Sequence, residues 1–317
     1  MRLIPALAVL VAVGLTAAPT PIVAQSGRLN PIIALQEKGL PVFGIAHPGI
    51  TAGRGGRGAA ADPNAAPPPA IVMSEVAKET VDYKRADYLF TSGPSETSLP
   101  TFLQYLVELK KAGGSARTHP FAAKIGIWHN NPADVTARIT RQLSAGHSSV
   151  SMEAVESAQE VRDVIKAMRL VSAGGTRPET GLEHAAAYWG LSVDEYRKKA
   201  DVWPINKNGE LLISVIVESR EGLAKVREIA AEPGVGQMFA GYGTLGGVFR
   251  GDPEGREAAA QQILAACKEF KIPCGFPVFN ATEMEQRMKE GWSVFIMQRR
   301  DEAGFGAVET GRKMSGR

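Results

Sequence analysis

A (β/α)8 TIM barrel is the fold this sequence predicts, and three features predict it. Eight short runs are rich in apolar and β-branched residues, helix-period patterns lie between them, and the strand runs are mostly apolar instead of alternating. Parallel strands buried on both faces read that way, and strand–helix alternation over about 250 residues has the length of a closed barrel. An open doubly wound sheet is the rival arrangement, but no G-x-G-x-x-G follows the first strand run.

In chain order the strand runs are PVFGIAH (41–47), ADYLFTS (86–92), AKIGIWH (123–129), SSVSMEA (148–154), LISVIVE (212–218), QMFAGYG (237–243), IPCGFPV (272–278) and WSVFIMQ (292–298). Before the fourth run, HNNP reads as a helix entry, with Asn131 or Asn130 capping and Pro132 in the first turn. After it, ESAQEVRDVIKAMRL puts Val161, Ile165 and Met168 on one helical face. After the fifth run, SREGLAKVREIAA does the same with Leu223, Val226 and Ile229. Two segments break the rhythm. Residues 51–70, TAGRGGRGAAADPNAAPPPA, form a Gly/Arg then Pro/Ala-rich insertion after the first strand, where a barrel keeps its active-site loops. Residues 174–209 are too long for a plain connection and are expected to carry a helix from Val193 to Lys199.

The 317 residues, 44% hydrophobic and 22% charged, suit one large globular domain. A net charge of +3, spread along the chain, offers no basic face for nucleic acid. The first segment, MRLIPALAVLVAVGLTAAPTPIVA, has a basic Arg2, an apolar run from Leu3 to Leu15 and small residues approaching Ala24, the pattern of a secretory signal peptide. Its apolar run is shorter than the roughly 20 residues of a spanning helix, so no stable membrane anchor is expected. The expected organisation is a signal peptide over 1–24 and a single barrel domain over 25–317, exported to a periplasm or secreted. Cys267 falls in a helical pattern and Cys274 in a strand run. An oxidising compartment would allow them to pair, but two buried free thiols are the expectation.

From about Asn30 to about Asp301 the chain resembles the HpcH/HpaI aldolase and citrate lyase family. The resemblance is carried by NPIIALQEKGLPVFGI, NNPADVTARITRQLSAG, AVESAQEVRDVIKAMR, GTR at 175–177, ACKEFKIPCGFPV and, most specifically, VESREGLAKVREIAAEPGVGQMFAG. It implies a barrel enzyme that cleaves carbon–carbon bonds next to a 2-oxo acid with the help of a divalent metal ion, and it makes a homo-oligomer plausible. The family's metal-binding acid at the end of the fifth strand falls on Glu218; a hard oxygen ligand suits Mg²⁺ or Mn²⁺ there. Other family positions are replaced. The second metal acid falls on Thr244, the Arg ending the third strand on Gly126, the D-x-E-H after the second strand on SGPS (92–95), and a Gln near the acid on Ile216.

A rearranged site at the same mouth is therefore expected, with Glu218 and Glu153 as metal ligands and His47, His129 and Glu153 as catalytic groups. Two imidazoles and two carboxylates would suit Zn²⁺, Mn²⁺ or Fe²⁺ better than Mg²⁺, with Co²⁺ a further candidate. A solvated imidazole is the simpler account of each His taken alone. Two neighbouring acids repel unless one is protonated or a cation sits between them. Tyr242, Gly243 and Thr244 of GYGTLGG are the candidate substrate-binding residues, through backbone N–H groups and the Tyr hydroxyl; a plain tight turn is the alternative. The functional expectation is an exported lyase acting on a small oxygenated or 2-oxo acid. A non-catalytic binding protein that keeps the pocket is the alternative, and a hydrolase is disfavoured because no G-x-S-x-G is present.

Overall fold

The computed structural model describes residues 27–47 and 71–317. The expected signal peptide and the 51–70 insertion lie outside the described residues. Nine strands are present among the described residues: β1 (Val42–Ala46), β2 (Tyr88–Thr91), β3 (Phe121–Ile127), β4 (Ser149–Glu153), β5 (Val202–Trp203), β6 (Leu211–Val217), β7 (Gln237–Ala240), β8 (Cys274–Val278) and β9 (Val294–Met297). Every pairing is parallel. β1 pairs with both β2 and β9, and β4 pairs with β6, so eight strands close into a barrel. The eight predicted runs are those eight staves. The two-residue β5 was not expected; it lies beside the first residues of β6, with Val202 opposite Leu211.

The outer layer is built by α2 (Met73–Asp82), α3 (Leu99–Lys111), α4 (Pro132–Ser144), α5 (Ala158–Met168), α6 (Glu183–Trp189), α7 (Val193–Lys199), α8 (Arg220–Ala224), α9 (Val226–Ala230), α10 (Tyr242–Val248), α11 (Pro253–Phe270), α12 (Ala281–Glu290) and α13 (Glu302–Met314), while α1 (Pro31–Gln36) precedes β1. Local chemistry sets their ends. Asn131 accepts the Asp134 amide at the start of α4, with Pro132 in the first turn. Ser192 and Glu195 form a reciprocal capping box on α7, which spans the predicted residues. The α5 face buries Val161, Val164, Ile165 and Met168. SREGLAKVREIAA is not one helix: the chain breaks at Lys225 into α8 and α9. The residues from Tyr242 to Val248 are helical, not a tight turn.

Strand alternation sorts the core into two parts. Phe43, Ile45, Leu89, Ile125, Val150, Ile213 and Val215 pack with residues of the helix layer, each contributing on the order of 1.5–3 kcal/mol by burial. Val42, Tyr88, Ala122, Leu212 and Val294 form a second cluster with Ile32 and Ile33 of α1, which plugs the N-terminal end of the barrel. Asn30 caps that helix through the Ile32 amide (3.0 Å) and donates to the Glu210 carbonyl (3.1 Å), while its own amide donates to the buried Glu210 carboxylate at 2.9 Å.

The cysteine expectation is overturned: Cys267 and Cys274 form a disulfide, with Cα atoms 5.7 Å apart. Cys267 lies in the last turn of α11, whose end at Lys271 adopts a left-handed conformation (φ 55°), and the reversal brings the first residue of β8 back against that turn. Among the described residues no helix is long and apolar enough to cross a membrane.

Candidate active site at the barrel mouth

A cavity of about 290 Å³ opens at the C-terminal ends of the strands. Phe90, Ile216, Phe239, Pro277 and Ile296 supply apolar wall, and Lys124, Ser151, Glu218, Thr244, Arg256 and Gln298 supply the polar side chains. An apolar pocket with a few converging polar groups, at the end where barrel strands deliver their loops, is the expected place for a small ligand.

Glu218 follows the last residue of β6. Its carboxylate accepts the Ala154 amide at 3.2 Å, and the Thr244 hydroxyl lies close enough to favour its charged form. Ala154 adopts φ 47°, a left-handed conformation that costs a non-glycine residue on the order of 1–2 kcal/mol, and in it the N–H meets the carboxylate. Gly241 leaves the remaining side open: a Cβ there would lie 2.3 Å from Glu218 Oε2. Burial raises the Glu218 pKa above the ordinary carboxylate value, and Glu153 adds to the rise; Thr244, Lys124 and the Ala154 amide oppose it.

Glu153 ends β4 on the same barrel end, and its carboxylate receives the Lys124 ammonium at 2.8 Å. The repulsion expected between the two acids is thus answered by a cation, and the cation is a side chain of β3. Lys124 has a legible signal in hindsight: it is the one charged residue in the strand FAAKIGI. The family resemblance places an Arg position on Gly126 instead. The pairing of β3 with β4 runs Lys124 to Ser151 and then Gly126 to Met152, so Ile125 is an extra, bulged residue. Gly126 has φ +92°, and a Cβ on it would point toward Val135 and Arg138 of α4 instead of the cavity.

The two histidines do not join this group. His47 turns to the helix layer, where its imidazole hydrogen-bonds the Tyr105 hydroxyl (2.8 Å) and packs edge-on against Tyr105 and Phe121; odd-numbered positions of β1 face outward. Burial, followed by the nearby Arg300 and His147, lowers its pKa to about 3. His129 lies on the short 3-10 turn after β3, 3.3 Å from Glu160 and 3.9 Å from Glu156. Tyr242 lines the cavity with its ring, but its hydroxyl donates to Glu257 (3.1 Å), so the expected hydrogen bond to substrate is already committed. Gly243 and Thr244 line the cavity as expected. Arg256, not foreseen from the sequence, lies 3.6 Å over the Tyr242 ring and donates to the Tyr242 carbonyl at 2.9 Å.

A model of the HpcH/HpaI aldolase/citrate lyase family matches residues 129–298, more than half of the chain. The protein belongs to this family. A hydroxypyruvate/pyruvate aldolase of Paraburkholderia phytofirmans is 28% identical over 170 residues, which are 51% of this chain and 61% of that relative; the match thus falls short of two thirds of the relative's length. Among solved structures, an HpcH/HpaI aldolase/citrate lyase family protein from Burkholderia cenocepacia superposes with a TM-score of 0.65 at 18% identity, covering 90% of this chain and 98% of that one. An HpcH/HpaI aldolase from Desulfitobacterium hafniense gives a TM-score of 0.60 at 14% identity, covering 84% and 89%. These likenesses show the barrel fold.

The divalent ion implied by the family fits this donor set poorly. Where such an ion would lie, the chain presents the Glu218 carboxylate, the neutral Thr244 hydroxyl and an ammonium already paired with Glu153. No three His, Cys, Asp or Glu side chains converge among the described residues. Hard dications take about six oxygen ligands and favour carboxylates, and a fixed positive charge beside the ligand acid works against them.

Proposed function

We propose that this protein is a carbon–carbon lyase of the aldolase type that takes a small 2-oxo acid at the barrel mouth. The observation that carries the reading is Glu218: within this family's barrel, a carboxylate of raised pKa lines the cavity and faces an ammonium. The name of the Paraburkholderia relative supports a 2-oxo acid as the substrate class. Glu218 is the group suited to move the proton. In cleavage of a 4-hydroxy-2-oxo acid it accepts the C4 hydroxyl proton as the C3–C4 bond breaks. C4 departs as an aldehyde, the electron pair is left as the enolate of the 2-oxo acid, and C3 then takes the proton. A carboxylate whose pKa lies above its usual value is better matched to holding that proton between the two steps. The apolar wall of Phe90, Phe239 and Ile296 keeps water from the enolate.

Export to an oxidising compartment belongs to the same proposal. It is supported by the signal-peptide pattern before Ala24 and by the Cys267–Cys274 disulfide, a bond that cytosolic thiol pools reduce.

The deciding assay is cleavage of 4-hydroxy-2-oxo acids by wild type and Glu218→Gln, with 2-oxo acid release read by a coupled dehydrogenase. Turnover that Glu218→Gln removes supports the lyase. Binding of 2-oxo acids without cleavage of any tested substrate would establish a binding protein in its place.

A further inference from the structure

We infer that the Lys124 ammonium is the fixed cation of this site, receiving the carboxylate and keto oxygens of the bound 2-oxo acid in place of the divalent ion that the family resemblance implies. The inference deepens the proposed function and rests on it for the substrate class.

Four observations converge on Lys124. It interrupts an otherwise apolar strand, and the bulge at Ile125 turns Gly126 away while Lys124 stays on the cavity wall. Its ammonium is held at 2.8 Å by Glu153 but remains accessible, with the side chain 38% exposed. An ammonium has three donors; one goes to Glu153, which leaves two for ligand oxygens. Among the described residues, the other cationic side chain on the wall, Arg256, is stacked on Tyr242 and bonded to its carbonyl. Charge placement gives the same answer: Glu153 and Glu218 offer no positive charge to an anionic ligand, and Lys124 sets an ammonium beside them. When the C3–C4 bond breaks, charge moves onto the keto oxygen, and an ammonium placed against that oxygen stabilises the enolate more than the ketone.

The test uses the full chain and oxalate, a planar dianion shaped like the enolate of pyruvate, with binding followed by titration calorimetry in excess EDTA. Wild type is expected to bind oxalate under these conditions. Lys124→Gln and Lys124→Met, checked for unchanged circular dichroism, should weaken binding roughly 10- to 150-fold, the worth of a hydrogen bond to a charged group. Lys124→Arg should recover most of it. Oxalate binding that vanishes in EDTA, returns with Mg²⁺ or Mn²⁺ and ignores Lys124→Gln would overturn the inference. So would a stable pyruvate adduct on Lys124 after borohydride reduction, which would make the residue an imine-forming nucleophile. The two readings fail separately. Lys124-dependent oxalate binding without cleavage sinks the lyase and keeps the cation site, whereas cleavage that survives Lys124→Gln sinks the cation site and keeps the lyase.

Discussion

One strand carries two glutamates at its opposite ends, the buried Glu210 just before β6 and the half-buried Glu218 just after it. Burial raises the pKa of both. They differ in what satisfies them. Glu210 is wholly enclosed, accepts the amide of Asn30 and lies 3.7 Å from Arg28, so it ties the plug helix to the barrel floor. Glu218 accepts one backbone amide, has the Thr244 hydroxyl nearby, and faces a cavity. The same residue type, on the same strand, is a structural anchor where neighbouring backbone closes over it and a chemical group where the loops leave it room.

Glu218→Gln separates the two glutamates most strongly. Cleavage should fall about 10²–10⁴-fold, the worth of a positioned proton-transfer group, while thermal stability at neutral pH should not fall, because the substitution removes a partly desolvated charge. Loss of stability with activity intact would make Glu218 a second anchor. At the floor, Cys267→Ser should cost about 2 kcal/mol in urea unfolding, the chain-entropy value for a short closed loop, with oxalate affinity unchanged. Asn30→Ala removes the cap of α1 and its bond to the Glu210 carbonyl, and about 1–2 kcal/mol should be lost, again without effect at the mouth.

A smaller effect concerns pH. Because the folded pKa of Glu218 lies above the unfolded value, the folded chain binds the proton more tightly, and this group's contribution is most favourable below the unfolded pKa near 4.5. It should decline as pH rises from there through the folded pKa. Urea unfolding of wild type and Glu218→Gln over a pH series reads this directly: the difference between them should shift in favour of the variant as pH rises. The smallest effect belongs to His129→Ala. Its imidazole faces Glu156 and Glu160, so cleavage should stay within about twofold of wild type, and a tenfold loss would bring His129 back into the chemistry.

The barrel was legible because its staves are apolar runs with helical patterns between them, and a chain buried on both faces leaves that trace. β5 was not legible: two residues make no pattern. The disulfide was missed because a helix and a strand in the notation of sequence periodicity say nothing about the sharp reversal at Lys271 that joins them. At the site, Glu218, Thr244 and Gly243 were placed by resemblance and do line the cavity. His47 and His129 were misplaced because a residue at a strand end points inward or outward according to register, and one extra residue in β3 or one step along β1 changes the answer. Lys124 was passed over for the same reason, since matching by position favoured Gly126.

The bulge at Ile125 also has a meaning for redesign. A charged group can be moved between the lumen and the outer layer of a barrel by adding or deleting a single residue, with no change in which amino acids are present. In the present register, an arginine installed at Gly126 would be directed at α4. Removing Ile125 would abolish the bulge but leave that arginine opposite Met152 and directly after the inward Lys124, so it would still face the helix layer. Position 126 therefore belongs to the outer layer with or without the bulge, and the cation that β3 supplies to the pocket is fixed at Lys124 by the pairing with Ser151.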